Sequence, residues 1–129
     1  SRQHYLRWQV PDTLRMLEAA GLAEDHTLGF SDRPGFRCGT CTPFPWYDLE
    51  HERATEQMLW PFAVMDSALH DRMGLGPEEA MRTMCAVSDS VRAVNGTFVS
   101  VWHDRFLSGY GQWQGWPEAM QHVVEHARS

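Results

Sequence analysis

Three places in this chain bring together residue types that could do chemistry. The first is His103-Asp104, which directly follows Thr97 to Trp102, a run almost wholly apolar or β-branched. Such a run reads as a strand covered on both faces. An imidazole at its end can act as acid or base near neutral pH; the competing reading is a polar residue that closes a strand through local hydrogen bonds. The second place is Gly35 to Leu49, where Arg37 sits among glycines and Trp46 follows two prolines. A guanidinium there could hold a carboxylate or a substrate oxygen, although a solvated surface arginine has the same signature. The third is Ser108 to Trp116, in which Tyr110, Trp113 and Trp116 interleave with glycines. Aromatic rings on such a loop can stack on sugars or simply close over one end of the fold.

Two other patterns resemble metal or redox motifs. Cys38-Gly39-Thr40-Cys41 has C-x-x-C spacing. A redox dithiol needs a helix that starts at the first cysteine, and Thr42-Pro43-Phe44-Pro45 forbids one. A zinc knuckle needs four ligands, and no second pair stands near in the sequence. Two small residues packed in a tight loop are the better reading, and Cys85 belongs to an apolar helix face. His122 and His126 stand i,i+4 on the last predicted helix, a spacing that can bind metal but that exposed helical histidines ordinarily leave unused. His4, His26, His51 and His70 have no evident partner in the sequence.

The elements that would position these residues follow from periodicity. Arg2 to Gln9 loosely alternates and predicts a short strand. Pro11 suits a first helical turn, with Leu14, Leu17 and Ala20 in helical spacing until Gly21 stops them. Leu22 to Asp25 predicts a second strand, which makes a βαβ unit with a parallel, right-handed crossover. Regular structure is expected to lapse from Gly29 to Pro45. Gln57 to Val64 predicts a buried strand that Pro61 confines to an edge or a bend. Met65-Asp66 opens a short helix with Asp66 as N-cap and Leu69 and Met73 facing inward. The clearest helix starts at Pro77, with Met81, Met84, Val87, Val91 and Val94 as its apolar stripe and Asn95-Gly96 as its end. A last helix from Pro117 places Met120, Val123 and Val124 inside. This order predicts an α/β fold with mostly parallel strands. In such folds ligands bind beyond the carboxyl ends of the strands, where the Gly29–Leu49 loop and His103-Asp104 both fall.

Composition narrows the classes further. A chain of 129 residues with 43% hydrophobic and 22% charged content is enough for one globular domain with its own core. A net charge of −6 argues against a nucleic-acid partner and suits a neutral or cationic one equally. No apolar run approaches the ~20 residues of a membrane-spanning helix. Three cysteines, an odd number, speak against a fully paired secreted framework. The chain opens at Ser1 rather than at a methionine, so a processed or partial chain is expected, and localisation stays open.

Taken together, Arg2 to Arg7, Ala20 to Phe30, Gly35 to Thr40, Met65-Asp66 and Val101-Trp102-His103-Asp104 resemble the C-terminal half of bacterial polysaccharide deacetylase-like proteins, the carbohydrate esterase family of chitooligosaccharide and peptidoglycan deacetylases. The resemblance spans nearly the whole chain, 1–129, and rests on the order of these pieces rather than on any one of them. It implies a partial distorted (β/α) barrel and, in the complete domain, a divalent metal that activates water against an acetamide of an N-acetylated glycan. It implies that His103 protonates the departing amine and that an arginine, Arg2 or Arg37, supports catalysis. Trp46, Trp102, Asp104, Asp66 and Trp113 are then expected at the substrate. The family's Asp-Asp motif and His-x-x-x-His metal pair have no counterpart in these residues, so metal ligands are expected from outside them. The chain is accordingly expected to be inactive alone, to leave sheet edges open, and to pair with a complementary half or with itself. The compartment, cytoplasm or cell envelope, is left open. The alternative is a non-catalytic carbohydrate-binding or assembly domain that uses Trp46, Tyr110, Trp113 and Trp116.

Overall fold

Five short strands and four α-helices build the chain, of which the computed structural model describes residues 1–129. In order they are α1 (Asp12–Ala19), β1 (Glu24–Asp25), β2 (Phe44–Asp48), β3 (Arg53–Leu59), β4 (Val64–Met65), α2 (Pro77–Ala93), β5 (Ser100–Val101), α3 (Asp104–Leu107) and α4 (Trp116–Arg128). The strands form two small open sheets. One has the order β1-β3-β2, with β1 parallel and β2 antiparallel to β3; the other is the parallel pair β4-β5. No helix is long and apolar enough to cross a membrane.

The first sheet arises from period-two burial. Thr55, Gln57 and Leu59 alternate inward along β3, and Trp46 and Asp48 do the same along β2. β2 lies within Gly29–Leu49, where a loop was expected, and β3 starts four residues before the strand expected from Gln57 and ends at Leu59. The prolines here are tolerated because β2 is an edge strand, and the ladder takes up Pro45 at an irregularity between Pro45 and Tyr47.

At the amino end the expected strand over Arg2 to Gln9 is replaced by a tight turn. Tyr5 and Leu6 sit at φ 57° and 53°, outside any strand. Only Ser1 reaches the parallel pattern: its amino group donates to Glu24 O (2.6 Å) and its carbonyl accepts from His26 N–H (2.7 Å).

The run Gln57 to Val64 does not stay in one sheet. Past Leu59 the Trp60 amide donates to Asp25 O (2.8 Å), Phe62 to Leu28 O (2.9 Å) and Ala63 to Val99 O (2.8 Å). Pro61, which has no N–H to give, stands at this handover between the sheets. Gly29 makes the crossing possible, because a Cβ there would lie 2.2 Å from the Phe62 ring.

Three apolar clusters hold this frame. Leu14, Leu17, Leu28, Trp46 and Leu59 pack α1 on the first sheet. Phe62, Met65, Ala68 and Val101 lie under the second, with Leu6 against them. Val64, Leu69, Met84, Phe106, Trp116 and Val123 join the second sheet to α2, α3 and α4. The buried face of α2 is Ala80, Met84, Ser88 and Val91, rotated from the expected stripe, and Val94 is exposed. In α4 Trp116, Ala119 and Val123 are buried, while Val124 faces solvent.

Candidate functional site

β4 and β5 run side by side in the same direction, with Val64 opposite Ser100 and Met65 opposite Val101. Their carboxyl ends therefore deliver Asp66 and, two residues past Val101, His103 to the same place. Asp66 is fully buried and accepts three hydrogen bonds. Ser67 N–H and His103 Nδ1 reach Oδ1, and His103 N–H reaches Oδ2, each at 2.6 Å. A carboxylate buried there requires such donors. With a carboxylate on Nδ1, that nitrogen carries the ring proton, and Nε2 is the nitrogen left to accept or give one. Nε2 has no partner within the chain, and the His103 side chain is 42% exposed. The ring is thus fixed on one side and open on the other.

His103 lines a cleft of about 660 Å³, whose walls also include Arg2, Tyr5, Arg72, Trp102 and Arg105. That is the size range of small-molecule sites. The amino-terminal turn forms one wall. Its two consecutive left-handed residues are costly for side chains other than glycine, and Leu6 is pinned by its packing on the cluster of Phe62 and Met65. A neighbouring cavity of about 400 Å³ holds Arg37 and shares Tyr5, Leu6, Ser31 and Arg72 with the cleft.

The expected site residues separate under this geometry. His103 and Trp102 line the cleft, and Arg2 does so while donating through Nε to His26 O (3.1 Å). Arg37 stands in the adjoining cavity and reaches Gly29 O at 3.4 Å. Asp66 is corrected from a substrate contact to a positioning residue, because no part of it is exposed. Trp46 is corrected to core: it is 7% exposed and packs with Leu14, Leu28 and Leu59. Trp113 stacks on Phe106 and His70 instead of facing the cleft. Asp104 opens α3 on the surface, where its carboxylate accepts the Arg105 N–H. With Trp46 and Trp116 both buried, the four rings of the expected sugar platform do not form one surface.

Several wall residues carried no signal in the sequence. Arg72 and Arg105 belong to no motif or spacing, and Asp71 has meaning only through its partners. Burial pushes the Asp71 carboxyl up, but hydrogen bonds from His70 and Arg105 outweigh this and hold it below its ordinary value. Elsewhere His51 gains a partner that an i,i+3 spacing could have suggested, the buried Asp48. Arg15 holds the Asp48 carboxyl far below the usual range, with His51 assisting and burial opposing.

The cysteines follow the packing reading. All three are free. Cys41 Sγ occupies the space that a side chain at Gly96 would need, and burial raises the Cys38 thiol. No three residues among His, Cys, Asp and Glu converge to hold a metal ion, and this includes His122 and His126. Comparison with protein-family models, curated proteins and solved structures finds no match.

Proposed function

We propose that this chain forms the proton-transfer wall of a glycan N-deacetylase, with His103 as general acid and Asp66 as its positioning residue. The observation that carries the reading is the His103 ring, held through Nδ1 past the ends of two parallel strands, with no partner on Nε2, in a residue that lines a cleft. Hydrolysis of an acetamide adds water to the carbonyl carbon and breaks the C–N bond. The nitrogen that leaves must gain a proton, which Nε2–H of His103 in its imidazolium form would give, leaving the neutral Nδ1–H ring against Asp66. Asp66 lies against Nδ1 and fixes the orientation and tautomer of the ring, as the carboxylate beside a catalytic imidazole does. Trp102 would offer the sugar ring an apolar face.

The divalent metal that the family resemblance implies finds no three-ligand set among these residues, so its ligands would come from elsewhere in the assembled protein. In that assembly β4 and β5 would be strands of an incomplete β/α barrel whose open edges pair with a complementary half or a second copy. A monomeric mass by light scattering, together with protected edge-strand amides, would remove that pairing.

The test is acetate release from N-acetylglucosamine oligomers by these residues joined to a metal-binding half. His103→Ala is expected to lower turnover by about 10²–10⁴-fold with metal content unchanged. Unchanged turnover takes His103 out of the mechanism. Saturable oligomer binding without any acetate release would favour a carbohydrate-binding domain instead.

A further inference from the structure

The cleft carries a local charge opposite to that of the chain. The sequence has 11 arginines, no lysine and a net charge of −6. Arg15, Arg33, Arg53, Arg92 and Arg105 are bonded to carboxylates. Of the remaining arginines, Arg2, Arg37 and Arg72 gather on the walls of the His103 cleft and its adjoining cavity. Arg72 lines both spaces, so it stands on the ridge between them, and it makes no hydrogen bond or ion pair. Arg2 and Arg37 bond only the carbonyls of His26 and Gly29. The carboxylates on these walls, Asp71 and Asp32, are already bonded to Arg105 and Arg33. Charge that is not neutralised from within is available to a ligand, and a guanidinium fork matches a planar or tetrahedral oxyanion.

We propose that the cleft selects an N-acetylated glycan bearing an oxyanion substituent, a carboxylate or a sulfate, which Arg72 and Arg2 hold while the acetamide meets His103. This rests on the deacetylase reading for the acetamide, whereas the anion contact rests on the arginines alone. Neutral oligomers would lack the contact, and added salt would weaken only the acidic ones.

Equilibrium titration of the chain, followed by tryptophan fluorescence at low and at physiological salt, tests it. Three oligomers of one length are compared: neutral N-acetylglucosamine, one carrying a uronic carboxylate, and one carrying sulfate. At least one acidic oligomer is expected to bind about tenfold more tightly or better than the neutral one. Arg72→Gln and Arg2→Gln should each erase most of that preference, by weakening the acidic oligomers toward the affinity of the neutral one. The two acidic arms show which oxyanion fits. Equal affinity for all three oligomers, failure of the acidic ones to bind, or a preference that survives both variants overturns the proposal. Because binding is read without turnover, acidic preference with no acetate release would sink the deacetylase reading alone. Equal acetate release from neutral and acidic oligomers would sink this one alone.

Discussion

Two fully buried aspartates, Asp48 and Asp66, each bond the Nδ1 of a histidine, at 2.8 Å to His51 and 2.6 Å to His103. They differ in what else they meet. Asp48 lies at the end of β2 and takes a bidentate guanidinium, Arg15 Nε at 3.0 Å and Nη2 at 2.8 Å, while the amides of Glu50 and His51 close the hairpin turn over it. Asp66 has no arginine. Its only ionisable partner is His103, and its other donors are backbone amides. A carboxylate clamped by a bidentate guanidinium ties two elements together, so the Asp48 site is a structural staple between α1 and the hairpin. At Asp66 the imidazole is the one side-chain donor, so the carboxylate orients the His103 ring. The difference separates a residue that ties two elements together from one that, in the proposed function, orients the catalytic ring.

The comparison can be broken by experiment. The largest effect is expected from Arg15→Ala, which strands a buried carboxylate and should lower the melting temperature by several degrees while leaving oligomer binding at the cleft intact. Loss of cleft binding would show that the regions are not separable. Gly29→Ala tests the seam between them, since Leu28 packs in one core and Phe62 in the other. The new methyl must displace the Phe62 ring or the backbone, a loss of about 1–3 kcal/mol by chemical denaturation; no loss would mean that the contact is slack.

Acid gives a smaller, graded effect. Asp48, Glu18 and Asp71 all have depressed folded values, so each stabilises the fold fully above the ordinary carboxylate pKa of about 4. That stability drains as pH falls through the lower folded values. Denaturation midpoints should be flat from pH 7 to about 5 and fall below pH 4, and less steeply in Arg15→Ala. The smallest change is expected at His51→Ala, where Arg15 still neutralises Asp48 and the melting temperature should shift by about a degree.

Much of this was legible in the sequence, and the misses have physical causes. α2 was readable from Pro77 to its end because Glu78, Glu79 and the Asn95-Gly96 stop are local signals. His103 past a strand was readable because Thr97 to Trp102 carries a β pattern, although only Ser100–Val101 pair and Thr97 is exposed instead of covered. The β2-β3 hairpin was hidden by Pro43 and Pro45, whose cost vanishes on an edge strand, a fact about pairing and not about composition. Asp66 was visible as a helix start, but its bond to His103 spans 37 residues and exists only because β4 and β5 pair in parallel. Trp46 misled because a tryptophan among prolines reads as a loop residue, whereas period-two burial along β2 turns it into the core. The arginines of the cleft could not be told from solvated ones, since a free guanidinium is defined by the partners it lacks.

In the proposed function His103 is chemical and His51 structural, although both bond a buried aspartate. Turnover and melting temperature measured side by side for His103→Ala and His51→Ala, in the assembled protein with N-acetylglucosamine oligomers, test it most directly. The account predicts a loss of at least about a hundredfold in acetate release for His103→Ala, and wild-type release for His51→Ala. Equal turnover in the two variants, or a greater loss in His51→Ala, would contradict it.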